Sequence, residues 1–378
     1  MKKLLSILLA VMMLTSLLAS CGSRTETADA KPTGGQAETS AAQAGIALAD
    51  MRVCAVFPGP RGDSGTVDMA CKAIEKISEE AGTFITIVEG DGTGDIAKLE
   101  SAVRDVSDDG YNIILSTGLM ADVYRMVAPD YPETMYCLFD TTFDFTTYDG
   151  SNIYCANFLQ NEGAYLAGIV AMSMSDTDVI GFIGGMENAN ICDFMWGYVE
   201  GAKSVNPKGT IAVSFTGDWM DSAKAKEIAL TQVNMGAKAL FPAAGPASEG
   251  VMEGAAEAKV YSVGVDIDRE SQYKVSNPDW VSSILTSELK RVDVAVERAI
   301  RLYSEGKLVP GQEALGIAEG GVGIYKEGNY KIMVPEDVQK LVSDAEQKIT
   351  NGELTVGTAI GATAEQIAEI KTWAGSQK

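Results

Sequence analysis

The chain reads as an α/β protein of two doubly wound parallel-sheet lobes. Two observations carry that reading. From about residue 51 onward, short apolar runs rich in Val, Ile and Phe alternate with amphipathic stretches. Strand–helix–strand alternation implies parallel sheets with right-handed crossovers. The runs also fall into two sets of five. The first set begins near Met51, Phe84, Tyr111, Met135 and Asn152, the second near Val179, Thr210, Lys238, Val260 and Val281. Paired in order, they lie 128, 126, 127, 125 and 129 residues apart. One five-strand unit is present twice.

The first residues give an address. Lys2 and Lys3 precede an apolar stretch from Leu4 to Leu18. That stretch is shorter than the roughly 20 residues a membrane-spanning helix needs and has the layout of a secretory signal. It ends in Leu18-Ala19-Ser20-Cys21, which resembles the bacterial lipobox. Residues 1–20 are therefore expected to be a lipoprotein signal peptide and Cys21 the lipid-attachment residue. Buried acyl chains hold a protein to a membrane at about 0.8 kcal/mol per methylene. Residues 21–50 are rich in Ser, Thr, Ala, Gly and Gln without hydrophobic periodicity, as a flexible tether would be.

Helices fill the gaps between strands. Residues 68–80 place Met69, Ala73, Ile74 and Ile77 on one face, and residues 96–105 and 121–128 behave similarly. Asp221 or Ser222 can cap a helix over 223–233. A long helix is expected over 289–304, a strand or hairpin over 320–325 and a closing helix over 335–350. Lobe 1 is then 51–158 plus about 287–325, and lobe 2 is 159–286 plus about 326–378. The five cysteines besides Cys21 have no CxxC spacing and read as buried thiols.

Composition narrows the function. The 378 residues include no His, and the formal net charge is −22. Without His, a Ser-His-Asp or Cys-His catalytic arrangement is impossible, so no enzyme is expected. Such acidity argues against nucleic acid, which needs basic patches. Ligands of open parallel sheets sit beyond the carboxyl ends of the strands, and two facing lobes make a cleft there. The cleft walls should be the segments after each strand, among them 58–68, 90–95, 117–122 and 140–145 in the first lobe, and 184–194, 217–221, 243–250, 266–270 and 286–290 in the second. Gly90–Asp95 lacks the full GxGxxG pattern, and Asp266-Ile267-Asp268 lacks the closing residues of a calcium loop. No metal or cofactor is expected. Phe194 and Trp196 offer ring faces, and Lys290 falls early in a helix near the cleft.

Several segments together resemble the basic membrane lipoprotein (BMP, PnrA-like) family of ABC-transporter substrate-binding proteins. They are Ala128-Pro129-Asp130-Tyr131-Pro132, Glu162-Gly163-Ala164-Tyr165-Leu166-Ala167-Gly168, Gly181-Phe182-Ile183-Gly184-Gly185, Phe194-Met195-Trp196-Gly197-Tyr198, Gly264-Val265-Asp266-Ile267-Asp268 and Thr286-Ser287-Glu288-Leu289-Lys290-Arg291-Val292-Asp293. The resemblance implies a type I periplasmic-binding-protein bilobe with a hinge and an interlobe cleft. It implies a purine nucleoside or nucleoside-like small molecule as ligand, an ABC permease and ATPase as partners, and a monomer held to the membrane through its lipid alone. Asp63 matches the family's first loop. Asp122 would read the base, Phe194 would stack on it, Asp266 and Lys290 would hold the sugar hydroxyls, and Gly245 would allow close backbone approach. Thr66 and Val67 stand where the family has Phe and Asn, which removes one ring and one amide. A sensory or surface lipoprotein of the same fold, binding another small polar ligand, is the alternative reading.

Overall fold

The computed structural model describes residues 45–62, 65–148 and 150–376. The signal peptide, Cys21 and most of the tether lie outside the described residues, as does Asp63. The folded part begins earlier than the tether reading allows. The Ile46 N–H donates to the Ser304 carbonyl at 2.8 Å, the Ser304 hydroxyl donates back to the Ile46 carbonyl, and Ile46 and Leu48 pack on the core.

The first repeat runs β1 (Val53–Phe57), α1 (Thr66–Ala81), β2 (Thr86–Glu89), α2 (Ile96–Asp108), β3 (Ile113–Thr117), α3 (Ala121–Val127), β4 (Met135–Phe139) and β5 (Ile153–Phe158). The chain crosses once and the pattern repeats as α4 (Gln160–Ser173), β6 (Val179–Gly184), α5 (Ala189–Val205), β7 (Thr210–Phe215), α6 (Ser222–Asn234), β8 (Ala239–Ala243), α7 (Ser248–Ala258), β9 (Tyr261–Gly264), α8 (Arg269–Ser276) and β10 (Ile284–Lys290). Then follow α9 (Val292–Ser304), β11 (Gly311–Leu315), β12 (Val322–Ile324), α10 (Asn329–Met333), α11 (Glu336–Thr350) and α12 (Ala364–Gly375).

Two six-stranded sheets result. Their orders are β2-β1-β3-β4-β5-β11 and β7-β6-β8-β9-β10-β12. All pairings are parallel except β12, which runs antiparallel to β10. Strands such as β1, β3, β4 and β8 are buried along their whole length, as expected of sheets covered on both faces. Cys54, Cys137 and Cys155 lie in β1, β4 and β5, and the described cysteines are free and buried. Asp221 caps α6 by accepting the Lys224 N–H.

The crossovers differ from the sequence reading. Residues 287–290 stay in the second sheet, because Glu288–Lys290 pair with β12 and so prolong β10. The helix expected from residue 289 therefore starts only at Val292. β11 joins the first sheet beside β5, and β12 returns to the second, taking 322–324 out of lobe 1. Three crossings thus lie side by side. Leu159 N–H donates to the Leu315 carbonyl, Arg291 N–H to the Gly321 carbonyl, and Ile317 N–H to a Glu162 carboxylate oxygen at 2.7 Å. Such adjacency of three short segments is what a hinge requires.

In the second lobe, α4 is buried along most of its length and packs directly on α5. A Cβ on Gly168, Gly197 or Gly201 would overlap the carbonyl of Tyr198, Asn161 or Tyr165 respectively. Only glycine lets the two backbones approach this closely.

Candidate functional site

The carboxyl ends of the strands of both sheets supply the walls of one region. On the first lobe, the turns after β1, β2, β3 and β4 line a cavity of about 800 Å³, walled largely by Pro58–Gly62, Gly92, Gly94 and Gly118. On the second lobe, a cavity of about 220 Å³ is lined by Gln160, Asn188, Asn190, Ile191, Phe194, Trp219, Gly245, Asp266 and Lys290. Asp140, the residue after β4, lines both.

The charged centre is built by the repeat. Asp140 and Asp266 both have left-handed backbone, with φ of 61° and 66°. Asp is among the few side chains that tolerate that region. The turn so formed ends each strand and points a carboxylate across the strand ends. Lys290 closes β10 between them. Its Nζ lies 2.9 Å from Asp140 Oδ2 and 3.5 Å from Asp266 Oδ1, and its side chain is 12% exposed. Burial alone would lower the lysine's pKa; Asp140 and Asp266 outweigh it, and the net shift is upward. Lys290 is therefore a firm cation. Asp266 Oδ1 is buried and, among the described residues, has no hydrogen bond beyond that longer ion contact. Buried oxygens in such a state call for a partner.

Glu288 lies two residues before Lys290 and is wholly buried. Its Oε2 accepts the Asp266 N–H at 3.3 Å. Burial first, and the negative charge of Asp266 second, push its carboxyl well above the ordinary range, while Lys290 pulls the other way. It supports the Asp266 turn from beneath.

Two rings line the same cavity as the cation. Phe194, on α5, is 4% exposed; its centroid is 5.8 Å from Lys290 Nζ, and its ring meets Phe241 edge-on at 6.2 Å. Trp219, in the turn after β7, is 38% exposed. It lies over Gly185 and Gly245. A Cβ on Gly185 would come 2.5 Å from Trp219 Cε3, and one on Gly245 would come 3.3 Å from the same atom. Gly245, at φ 57°, is thus needed for both its turn and the ring it carries.

Of the sequence candidates, the structure brings together Phe194, Gly245, Asp266 and Lys290. Asp122 stands apart. It sits in the first turn of α3 with its side chain 72% exposed, pairs with Arg125 at 2.8 Å, and lines neither cavity. Thr66 and Val67, at the start of α1, line the larger one. Trp196 turns away and donates its indole N–H to Glu200.

Sequence reasoning did not single out Asp140, Trp219, Gln160, Asn188 or Asn190. A signal existed for four of them. Asp140 is the repeat mate of Asp266, and Trp219, Asn188 and Asn190 fall in segments already marked as cleft wall. Gln160 carried none, because it stands at a helix start outside those segments.

Comparisons with known proteins bear on this geometry. Residues 51–359 match the family model described as ABC transporter substrate-binding protein PnrA-like. The chain is 32% identical over 269 residues to the CD4+ T-cell-stimulating antigen of Listeria innocua, covering 68% of this chain and 72% of that one. It is 30% identical over 259 residues to the ABC transporter nucleoside-binding protein BmpA of Lactococcus lactis, covering 65% and 71%. Among solved structures, an ABC transporter solute-binding protein of Aeropyrum pernix is similar, with a TM-score of 0.68 and 26% identity over 86% of this chain and 98% of that one.

Proposed function

The chain belongs to the family of PnrA-like ABC transporter substrate-binding proteins, and from that premise we propose that its cleft captures a nucleoside or nucleoside-like molecule for import. The observation that carries the reading is Lys290, held between Asp140 of one lobe and Asp266 of the other, beside an open Trp219 ring. A sugar offers adjacent hydroxyls that carboxylates and a lysine can bind by charge-assisted hydrogen bonds. A base offers a flat face that an indole can cover. The Lactococcus relative carries nucleoside binding in its name. The family is extracytoplasmic, and we read Cys21 as the lipid anchor that keeps this chain at the membrane.

Ligand touching both lobes favours the closed form and shifts the hinge equilibrium by its differential affinity. The closed, loaded chain, a monomer, would then meet its permease and ATPase. A chain without His and with carboxylates paired to a lysine is suited to holding a ligand rather than transforming it, and we read it as a carrier, not an enzyme. Calorimetry against purine and pyrimidine nucleosides tests the ligand; no heat with any of them would defeat that part. Mass spectrometry of the mature N-terminus tests the anchor, since an unmodified chain would exclude it.

A further inference from the structure

A buried carboxylate behind the cleft determines which way one lining amide faces. Asp193, on α5, is fully buried. Its Oδ1 accepts the Thr358 hydroxyl at 2.5 Å and the Ala359 N–H at 2.8 Å. Its Oδ2 accepts Nε2 of Gln160 at 3.0 Å. Burial pushes the Asp193 carboxyl upward, and the Thr358 hydroxyl and the Ala359 N–H oppose that by donating to Oδ1; in the ionised form so favoured both oxygens accept. Gln160 must therefore turn its NH₂ toward Asp193.

A primary amide has its carbonyl on the other side. Among the described residues, the Gln160 side chain has that one hydrogen bond. It is 3% exposed and lines the 220 Å³ cavity together with Phe194 and Ile191. We propose that Asp193, braced by Thr358 and Ala359, fixes Gln160 with its carbonyl oxygen toward the ligand's ring edge, so that the cleft selects a ring bearing a hydrogen-bond donor there. The inference rests on the reading of this cleft as a nucleoside site. Gln160 is then a specificity-determining residue and Asp193 a positioning residue. The segment between α11 and α12 takes part in recognition without reaching the ligand. With Val67 where the family has an amide, Gln160 supplies an amide from the hinge side instead.

Adenosine and 6-methoxypurine riboside test it, since they share the N1 acceptor and differ at the 6-position by an amino donor against an ether acceptor. The wild-type protein should bind adenosine about tenfold more tightly, the cost of leaving one buried polar group unpaired. In Asp193→Asn, an amide NH₂ replaces the accepting Oδ2. Gln160 must then turn over, and the preference should reverse. In Gln160→Met the preference should vanish, and adding Asp193→Asn to it should change nothing further. An unchanged ratio in Asp193→Asn, or a preference kept in Gln160→Met, overturns the proposal. If neither nucleoside binds the wild-type protein, the proposed ligand fails separately. The orientation is then read by side-chain amide NMR of the ligand-free protein. Slow exchange of the Gln160 NH₂ protons, lost in Asp193→Asn, supports it, and equal exchange in both overturns it.

Discussion

Asp140 and Asp266 are 126 residues apart and occupy the same place in the two repeats: each follows the fourth strand of its lobe with a left-handed backbone. Two carboxylates in equivalent turns would repel each other across the cleft. Lys290 lies within 3.5 Å of both and leaves one net negative charge. The duplication thus produced a symmetric acidic pair, and the end of β10 supplied the cation that lets the pair approach.

Lys290→Met should open the cleft. It removes the shared counter-charge while leaving the carboxylates in place, and breaking one side of a buried charge pair costs about 3–5 kcal/mol. Affinity should fall at least a hundredfold, and small-angle scattering should show a larger radius of gyration without ligand. A variant as compact and as tight-binding as the wild type would show that the lobes do not depend on this bridge.

Trp219 and Phe194 should separate binding from stability. Trp219 is partly exposed and rests on glycines, so Trp219→Ala should leave the melting temperature nearly unchanged. If the ligand is the proposed nucleoside, loss of stacking on its base should weaken binding by roughly 1–3 kcal/mol. Phe194 is buried in the second-lobe core. Phe194→Ala should cost about 3–5 kcal/mol of stability. A large melting shift in Trp219→Ala with unchanged affinity would reverse these assignments.

Glu288 should make stability depend on pH in an unusual direction for a carboxylate. Burial raises its folded pKa well above the ordinary 4.5, so the folded chain holds this proton more tightly than the unfolded one. Stability from this group is full below pH 4.5 and declines as pH rises toward the folded value. Glu288→Gln cannot titrate. Urea melts between pH 4.5 and neutrality should show the variant gaining on the wild type as pH rises. Parallel curves would mean that Glu288 is not held protonated.

Gly201→Ala should damage the second lobe. The added methyl would overlap the Tyr165 carbonyl where α5 crosses α4, a backbone contact that cannot yield as a flexible side chain would. Overpacking of this kind costs roughly 1–3 kcal/mol or more. Gly323, with open space around its Cβ position, is the control and should tolerate alanine. Equal melting temperatures for the two variants would contradict the tight helix crossing.

The repeat was legible because burial on both sheet faces leaves continuous apolar runs; each observed strand of the two five-strand sets begins within three residues of its expected start. The crossovers were not. β11 carries no apolar run, and β12, expected as a strand or hairpin within 320–325, showed nothing of the sheet it would join, because neither strand pairs with its neighbour in the chain. That is also why Lys290 read as a helix residue: only pairing of Glu288–Lys290 with β12 keeps it in a strand. In the site, charged residues near strand ends could be read from the chain. Gln160 could not, since its role depends on Asp193, Thr358 and Ala359 meeting behind it.

Asp266 and Asp122 give the sharpest contrast between a residue inside the cleft and one beside it. Both are aspartates expected from the sequence to touch ligand. Among the described residues, Asp266 has a buried oxygen without a hydrogen bond, an ion contact to Lys290 and support from Glu288. Asp122 is exposed and pairs with Arg125, and a surface ion pair of that kind is worth about 0–1 kcal/mol. Asp266→Asn keeps a side chain suited to the left-handed turn and loses only the charge, so the fold should hold while affinity drops about tenfold or more. Asp266→Ala loses the acceptor and the turn preference together and should bind more weakly still. Asp122→Ala should leave affinity within about twofold of wild type. Calorimetry with one nucleoside across the three variants and the wild type decides it. An Asp122→Ala loss matching that of Asp266→Ala would mean that the first-lobe wall closes farther over the ligand than the cavity lining indicates.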